Sequence, residues 1–142
     1  MENRTALRLP QSANVRGDIA EARFIGKAMS LGFTVLRPFG NQEPYDFVLR
    51  MGRRLTRVQV KSAWGDDGQG TYHFVSVLCR RSRRGAHPYS SKEVDFIIAY
   101  VAPADAWFVI PVSALRTQTQ FSVSLGGRSR LGRYREKWEL MV

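Results

Sequence analysis

Residues 44–61 read PYDFVLRMGRRLTRVQVK, in which two segments rich in apolar and β-branched residues flank a Gly-Arg-Arg turn. This pattern predicts a β-hairpin, with one strand over Tyr45–Met51 and its partner over Leu55–Ala63. Side chains alternate between the two faces of a strand, so Gln59 and Lys61 share one face and the neighbouring valines share the other.

The predicted hairpin brings Asp46 alongside this polar pair. A carboxylate, an amide oxygen and an ammonium group would then share one small area, which suits a hard cation such as Mg²⁺. A lysine beside such a cation can orient an attacking water or help to deprotonate it. An ordinary half-exposed strand, with valines inside and polar side chains in solvent, has the same pattern, and the spacing alone favours this second interpretation.

The segment before the hairpin predicts a helix. Ser12 or Asn14 is a candidate N-cap, and the helix is expected to begin near Val15 or Arg16. Apolar residues recur at helical spacing until Gly32, which stands where a glycine commonly follows a helix C-terminus. A short strand, Phe33–Arg37, is expected next.

The segments after the hairpin are predicted to be mainly β, and the whole pattern indicates an α+β fold. The predicted strands are Thr71–Cys79, Val94–Val101, Ala106–Val112 and Gln120–Leu125. The second and third of these are apolar enough to be buried on both faces. Short helical turns are expected after Ser113 and around Trp138.

The composition describes a basic globular chain. Its 142 residues are 44% hydrophobic and 24% charged, which excludes a disordered chain. No apolar run approaches the roughly 20 residues of a membrane-spanning helix, and the N-terminus lacks the apolar stretch of a signal peptide. We therefore expect a cytoplasmic protein. The single cysteine, Cys79, cannot form an internal disulfide and is expected to be a buried strand thiol.

The charge points to a polyanionic partner. The 22 basic and 12 acidic residues give a net charge of +10, and nucleic acid is the commonest partner of such a chain. The alternative is a basic protein without such a partner, whose charged side chains face solvent. The side chains expected to contact DNA are Arg53, Arg54, Arg80, Arg81, Arg83 and Arg84.

The chain resembles the PD-(D/E)XK nuclease superfamily in the order of its elements and motifs. A helix with a glutamate is followed by a strand, a loop, Pro-Tyr-Asp, a hairpin and Gln-Val-Lys. Within this superfamily, the chain is similar to archaeal Holliday junction resolvases and, more closely, to the group I intron-associated endonucleases, which tolerate glutamine at the second acidic position. Val94–Tyr100 and Trp107–Pro111 also resemble segments of that group. The resemblance implies a restriction-endonuclease-like core, with an N-terminal helix, a mixed sheet and short flanking helices. We expect one such domain over residues 1–142, with residues 1–14 as a flexible tail.

The resemblance implies roles for four residues. Asp46 matches the motif aspartate, Gln59 the second acidic position and Lys61 the motif lysine. Glu21 matches the helix glutamate that completes the metal site in resolvase-like members. Asp46, Glu21 and Gln59 would then hold Mg²⁺ or Mn²⁺. Without the resemblance, Glu21 would be assigned to solvent, because the helix dipole favours glutamates in the first turns of a helix.

The sequence therefore predicts a metal-dependent DNA endonuclease, either homing-endonuclease-like or junction-resolvase-like. One catalytic cluster breaks one strand, so we expect a homo-oligomer, a dimer or higher, that places two clusters on its DNA. Strands Val94–Val101 and Ala106–Val112 are a candidate interface, although burial in the monomer explains them equally well. Two alternatives remain: a catalytically inactive nucleic-acid-binding module, which the neutral Gln59 supports, and a nuclease subunit of a larger complex.

Overall fold

The computed structural model of the chain describes residues 10, 12–74, 77–80, 85–126 and 129–142. Three arginines predicted to contact DNA, Arg81, Arg83 and Arg84, lie outside the described residues, as does most of the predicted tail. Within those ranges, no helix combines the length and apolar character needed to cross a membrane.

The N-terminal helix, α1, spans Ala13–Ser30. Its N-cap is Ser12, whose hydroxyl accepts a hydrogen bond from the backbone N–H of Val15 at 3.5 Å. The predicted tail was therefore too long, because Ala13 and Asn14 already belong to the first helical turn. The helix lies against the sheet through buried side chains four residues apart, at Ala20, Phe24 and Ala28.

Nine strands follow in the described part of the chain. They are β1 (Thr34–Leu36), β2 (Phe47–Met51), β3 (Arg54–Ala63), β4 (Thr71–Phe74), β5 (Leu78–Cys79), β6 (His87–Pro88), β7 (Phe96–Val101), β8 (Ala106–Pro111) and β9 (Phe121–Ser124). Short 3₁₀ helices occupy Ala102–Ala104, Val112–Leu115, Gly132–Tyr134 and Trp138–Met141.

Five strands form the central sheet, in the order β1-β2-β3-β7-β8. The β3–β7 pair is parallel and the other three pairs are antiparallel, so the sheet is mixed, as predicted. The predicted hairpin is confirmed as β2–β3, with Met51 paired to Arg54 across a two-residue turn. Gly52 has a φ of +60° there, in the left-handed region that glycine adopts without steric cost.

The predicted strand over residues 71–79 is wrong as one element. The structure instead has two strands in different small sheets, β4 paired with β9 and β5 paired with β6. The β-rich composition of this segment favours extended backbone but does not specify its partner.

The core lies on both faces of the central sheet. Val58 and Val60 of β3 pack on the face that α1 covers, while Ala63 of the same strand packs on the other. Strands β7 and β8 are buried along nearly their whole length, as predicted. Burial within the chain itself, the alternative to an interface between copies, therefore accounts for the apolar character of these two strands.

Candidate active site

Asp46 sits where the hairpin ladder ends. The last pair of β2 and β3 is Phe47 with Val58, and the N–H of Asp46 extends the ladder by donating to the Val58 carbonyl at 2.9 Å. Asp46 precedes the first residue of β2, and its Oδ2 accepts the Val60 N–H at 2.9 Å. The Asp46 carboxylate thus accepts an N–H that a backbone carbonyl would accept in a longer ladder. Its residue is only 8% exposed, so the fold itself holds its position.

Gln59 lies on β3 between Val58 and Val60, the two residues whose backbone groups hydrogen-bond to Asp46. Gln59 is 5% exposed. The alternative of an ordinary strand with its polar side chains in solvent is therefore wrong for this residue.

Lys61 follows Gln59 on the same face of β3, as strand alternation predicts. Its residue is half-buried, and its Nζ lies 5.8 Å from the centroid of the buried Tyr89 ring. This is cation–π distance, so the ring helps to orient the ammonium group.

Glu21 reaches the same region from α1. Glu21 and Asp46 both line a small pocket of about 80 Å³, although 25 residues separate them in the chain. Glu21 Oε2 accepts a hydrogen bond from Arg37 Nη2 at 3.1 Å, and the Glu21 side chain is 25% exposed. The helix-dipole argument for a solvent glutamate does not apply, because the helix begins at Ala13 and its first turn carries no acidic residue.

The loop between β1 and β2 supplies residues that sequence reasoning did not assign to the site. Arg37, Asn41, Glu43 and Tyr45 line the same pocket as the two carboxylates. Glu43 stands two residues before Tyr45 in a Pro- and Gly-containing loop, and no spacing rule singles it out from other loop acids. Its proximity to Glu21 was a consequence of tertiary structure alone.

The donor set of this pocket fits a hard divalent cation. Glu21 and Asp46 supply carboxylate oxygens to the pocket, and Gln59 adds an amide on the adjoining strand β3; these are the oxygen ligands that Mg²⁺ and Mn²⁺ prefer. Within the ranges that the structure describes, the carboxylate oxygens of the three pocket acids, Glu21, Glu43 and Asp46, do not all come within 4.8 Å of one another.

Two of the predicted DNA-contacting arginines lie away from this pocket. Arg53 and Arg54 are exposed at the turn of the hairpin, and at the rise of a strand Arg53 lies about 20 Å from Gln59. Arg54 Nη1 donates to the carbonyl of Val142 at 2.7 Å. Arg80 is also exposed.

Arg57, also in the hairpin, serves the fold. Its Nη2 lies 2.9 Å from Asp95 Oδ1, and Asp95 Oδ2 accepts the Arg57 backbone N–H at 2.7 Å. Burial raises the pKa of Asp95, but the hydrogen bonds from Arg57 lower it by more, so the net pKa lies below its ordinary value. This ion pair joins β3 to the start of β7.

The acidic loop after β3 is a structured turn. Asp67 Oδ1 accepts the backbone N–H of Gln69 at 2.9 Å and that of Thr71 at 3.2 Å, and Asp67 Oδ2 lies 3.2 Å from His73 Nε2. These contacts are those of an Asx turn, the ordinary role of aspartate in such loops.

Comparisons with known proteins identify the family of the chain. A family model described as PD-(D/E)XK endonuclease matches residues 11–141. The bacterial homing endonuclease I-Ssp6803I is similar in structure, with a TM-score of 0.76 and 33% sequence identity over 91% of this chain and 92% of that one. No curated protein matches the chain.

Two further solved structures are more distant. The Holliday junction resolvase Hjc of the archaeon Archaeoglobus fulgidus has a TM-score of 0.49 and 18% identity, over 78% of this chain and 85% of that one. MepB has a TM-score of 0.44 and 15% identity, over 84% and 93% of the two chains. With a family match over nearly its whole length, the chain belongs to the PD-(D/E)XK endonuclease family.

Proposed function

We propose that this chain is a metal-dependent endonuclease that hydrolyses phosphodiester bonds of DNA. The observation that carries the proposal is the convergence of Glu21 and Asp46 on one pocket, with Gln59 between the two β3 residues that hydrogen-bond to Asp46. Lys61 follows on the same face. Asp46, Gln59 and Lys61 thus lie within a few positions of one hairpin, and metal-dependent phosphodiester hydrolysis uses oxygen ligands and a cationic group of this kind.

Each residue has a distinct part in the proposed reaction. Asp46, Glu21 and Gln59 would hold Mg²⁺ or Mn²⁺, which when bound supplies Lewis-acid stabilisation of the charge that develops on phosphate oxygens. Lys61 orients the attacking water and stabilises negative charge through its ammonium group. The Val60 N–H keeps the Asp46 carboxylate in one orientation, so this ligand is preorganised before substrate binds.

We propose duplex DNA as the substrate class. The similarity to a homing endonuclease at 33% identity supports a substrate of that kind. The net charge of +10 supports a polyanionic partner.

We further propose that the active form is a homo-oligomer. The chain carries one cluster of proposed catalytic residues, and two clusters are needed to cut both strands of a duplex without rebinding. Light scattering of the protein alone and with DNA tests this. A monomer in both states that still cuts both strands in one encounter would exclude the oligomer.

An inactive DNA-binding module is the second candidate, and the neutral Gln59 favours it. Incubation of the purified protein with supercoiled plasmid or a four-way junction, with Mg²⁺ and with chelator, separates the two. We expect cleavage of the plasmid that needs the metal and is lost in Lys61→Met, which keeps the side-chain length without the charge. Binding of plasmid without cleavage under any metal would favour the inactive module. Preferential cutting of the junction would change the substrate class.

A further inference from the structure

A second cluster of ligand-type side chains lies outside the proposed active site. Cys79 of β5 pairs with His87 of β6, and Glu93 approaches both from the turn before β7. Glu93 Oε2 lies 3.3 Å from Cys79 Sγ and 2.8 Å from His87 Nε2. Among the residues that the structure describes, this is the one group of three such ligand atoms, all within 4.8 Å of one another.

The spacing of the three atoms is close to that of a metal site. Zn–S bonds of about 2.3 Å and Zn–N or Zn–O bonds of about 2.05 Å place a sulfur and an oxygen ligand of a tetrahedral ion about 3.6 Å apart, and a nitrogen and an oxygen ligand about 3.3 Å apart. The Cys79–Glu93 and His87–Glu93 separations, 3.3 and 2.8 Å, are shorter than these values because both are hydrogen bonds. An ion that replaces the two hydrogen bonds therefore needs each separation to widen by only a few tenths of an ångström.

The hydrogen bonds of His87 indicate where a cation would bind. His87 Nδ1 lies 2.8 Å from the carbonyl oxygen of Gly85, which can only accept, so this nitrogen carries a proton. Nε2 faces the Glu93 carboxylate. Because a carboxylate oxygen of Glu93 only accepts, a contact of 2.8 Å places either a proton or a bound cation on His87 Nε2 as well.

We infer that Cys79, His87 and Glu93 form a binding site for one Zn²⁺ ion. Thiolate, imidazole and carboxylate are the ligands that zinc takes, whereas Mg²⁺ prefers oxygen alone. On binding, Cys79 loses its thiol proton and His87 loses the proton on Nε2, so two protons are released as Sγ–Zn and Nε2–Zn bonds form. The thiolate and the Glu93 carboxylate balance the charge of the ion. The Gly85 carbonyl continues to hold Nδ1, the usual outer partner of a metal-bound histidine.

The surroundings support a site that an ion can enter and occupy. Cys79 is 1% exposed, while the side chains of His87 and Glu93 are 17% and 16% exposed, so the site is enclosed on the thiol side and open to solvent on the other. Ser90 Oγ donates to Glu93 Oε1 at 3.0 Å and restrains the carboxylate. The strands β5 and β6 have two residues each, too few for a stable pair without another link. An ion shared by Cys79 and His87 supplies that link.

The inference does not depend on the nuclease function, and Co²⁺ tests it directly. Cobalt bound to a thiolate gives a near-ultraviolet charge-transfer band, and Cys79 is the only cysteine in the chain. We expect wild-type protein to show this band with one Co²⁺ and to lose it when Zn²⁺ is added. Asp46→Asn, altered only in the proposed nuclease site, should keep the band, and Cys79→Ser should lose it. Absence of the band in the wild-type protein, or its persistence in Cys79→Ser, would overturn the site.

Two further variants test the other ligands without altering the buried thiol. His87→Gln and Glu93→Gln, both only partly exposed positions, should each weaken Zn²⁺ binding at least about tenfold in competition with a chromophoric chelator. Native mass spectrometry should show one zinc per wild-type chain. Wild-type affinity in both variants would show that Cys79 does not share an ion with His87 and Glu93.

Discussion

Asp46 accepts the backbone N–H of Val60 at 2.9 Å, one step beyond the last pair of the β2–β3 ladder. One side chain therefore ends the hairpin and also faces the pocket that Glu21 lines. Structure and proposed chemistry depend on the same carboxylate, so substitutions of Asp46 must separate the two contributions.

Replacing Asp46 with asparagine or alanine makes that separation. Asparagine keeps an oxygen that can accept the Val60 N–H but removes the charge, whereas alanine leaves a buried N–H without its acceptor. We expect both variants to lose metal-dependent cleavage on the order of a hundredfold or more. Urea unfolding should show a cost of about 1–3 kcal/mol for Asp46→Ala and a smaller cost for Asp46→Asn. Wild-type cleavage by Asp46→Asn would remove Asp46 from the proposed site.

Replacing Gln59 with glutamate should strengthen metal binding. The new carboxylate would lie on β3 between the two residues that hydrogen-bond to Asp46, in a position that is 5% exposed, where an added negative charge attracts a divalent cation strongly. We expect half-maximal cleavage at a Mg²⁺ concentration about tenfold lower, since one favourable charge contact of this kind is worth on the order of 1.4 kcal/mol. The same pair of carboxylates should destabilise the protein when chelator is present. Gln59→Met, without a polar oxygen, is the matched control; an identical metal dependence in all three proteins would show that Gln59 does not contribute to the metal site.

The arginine-rich segment after β5 should contribute phosphate contacts. Substituting Arg80, Arg81, Arg83 and Arg84 with alanine should weaken binding to all DNA sequences alike. Each lost contact should lower the slope of log K against log salt by about 0.9 on duplex DNA. A double variant at the turn of the hairpin, Arg53→Ala with Arg54→Ala, serves as the comparison. The variant with the larger change in slope contains the residues that contact phosphate. A slope that stays at the wild-type value in the first variant would place this segment away from DNA.

Ionisation of Tyr100 should lower the free energy of unfolding at alkaline pH. The residue is fully buried; its hydroxyl donates to Asp105 at 2.9 Å and accepts from Arg23 at 2.7 Å. Burial raises the Tyr100 pKa, the Asp105 contact raises it further, and Arg23 opposes both. A raised pKa in the folded state means that the stabilisation is complete below the ordinary tyrosine pKa of about 10 and is lost as pH rises through the raised value.

Tyr100→Phe tests this dependence. Urea unfolding at pH 8 should show a cost of about 1 kcal/mol, from the lost hydrogen bonds. The difference from the wild-type protein should shrink at pH values above about 10, because the phenylalanine variant has no proton to lose at this position. A difference that stays constant across this pH range would mean that Tyr100 titrates normally in the folded protein.

Much of the fold follows from local sequence patterns. The period of the apolar residues predicted α1, and the turn at Gly52 predicted the β2–β3 hairpin, because both depend on residues close together in the chain. The continuous apolar runs likewise predicted that β7 and β8 are buried on both faces. The division of residues 71–79 between two sheets could not be predicted, since strand partners are distant in sequence and propensity does not identify them.

The sequence by itself placed Gln59 and Lys61 on one face of a strand and Asp46 beside them, because strand alternation and a tight turn are local geometry. It could not place Glu21, which lines the same pocket as Asp46 only because α1 packs against the sheet. Nor could it show whether Gln59 faces solvent or is buried, as it is at 5% exposure. The Cys79, His87 and Glu93 cluster is also a product of tertiary structure: no motif spacing links these residues, and only the β5–β6 pairing and the turn before β7 bring their ligand atoms together. Burial and long-range contacts depend on how elements pack, and that packing is decided by the whole chain.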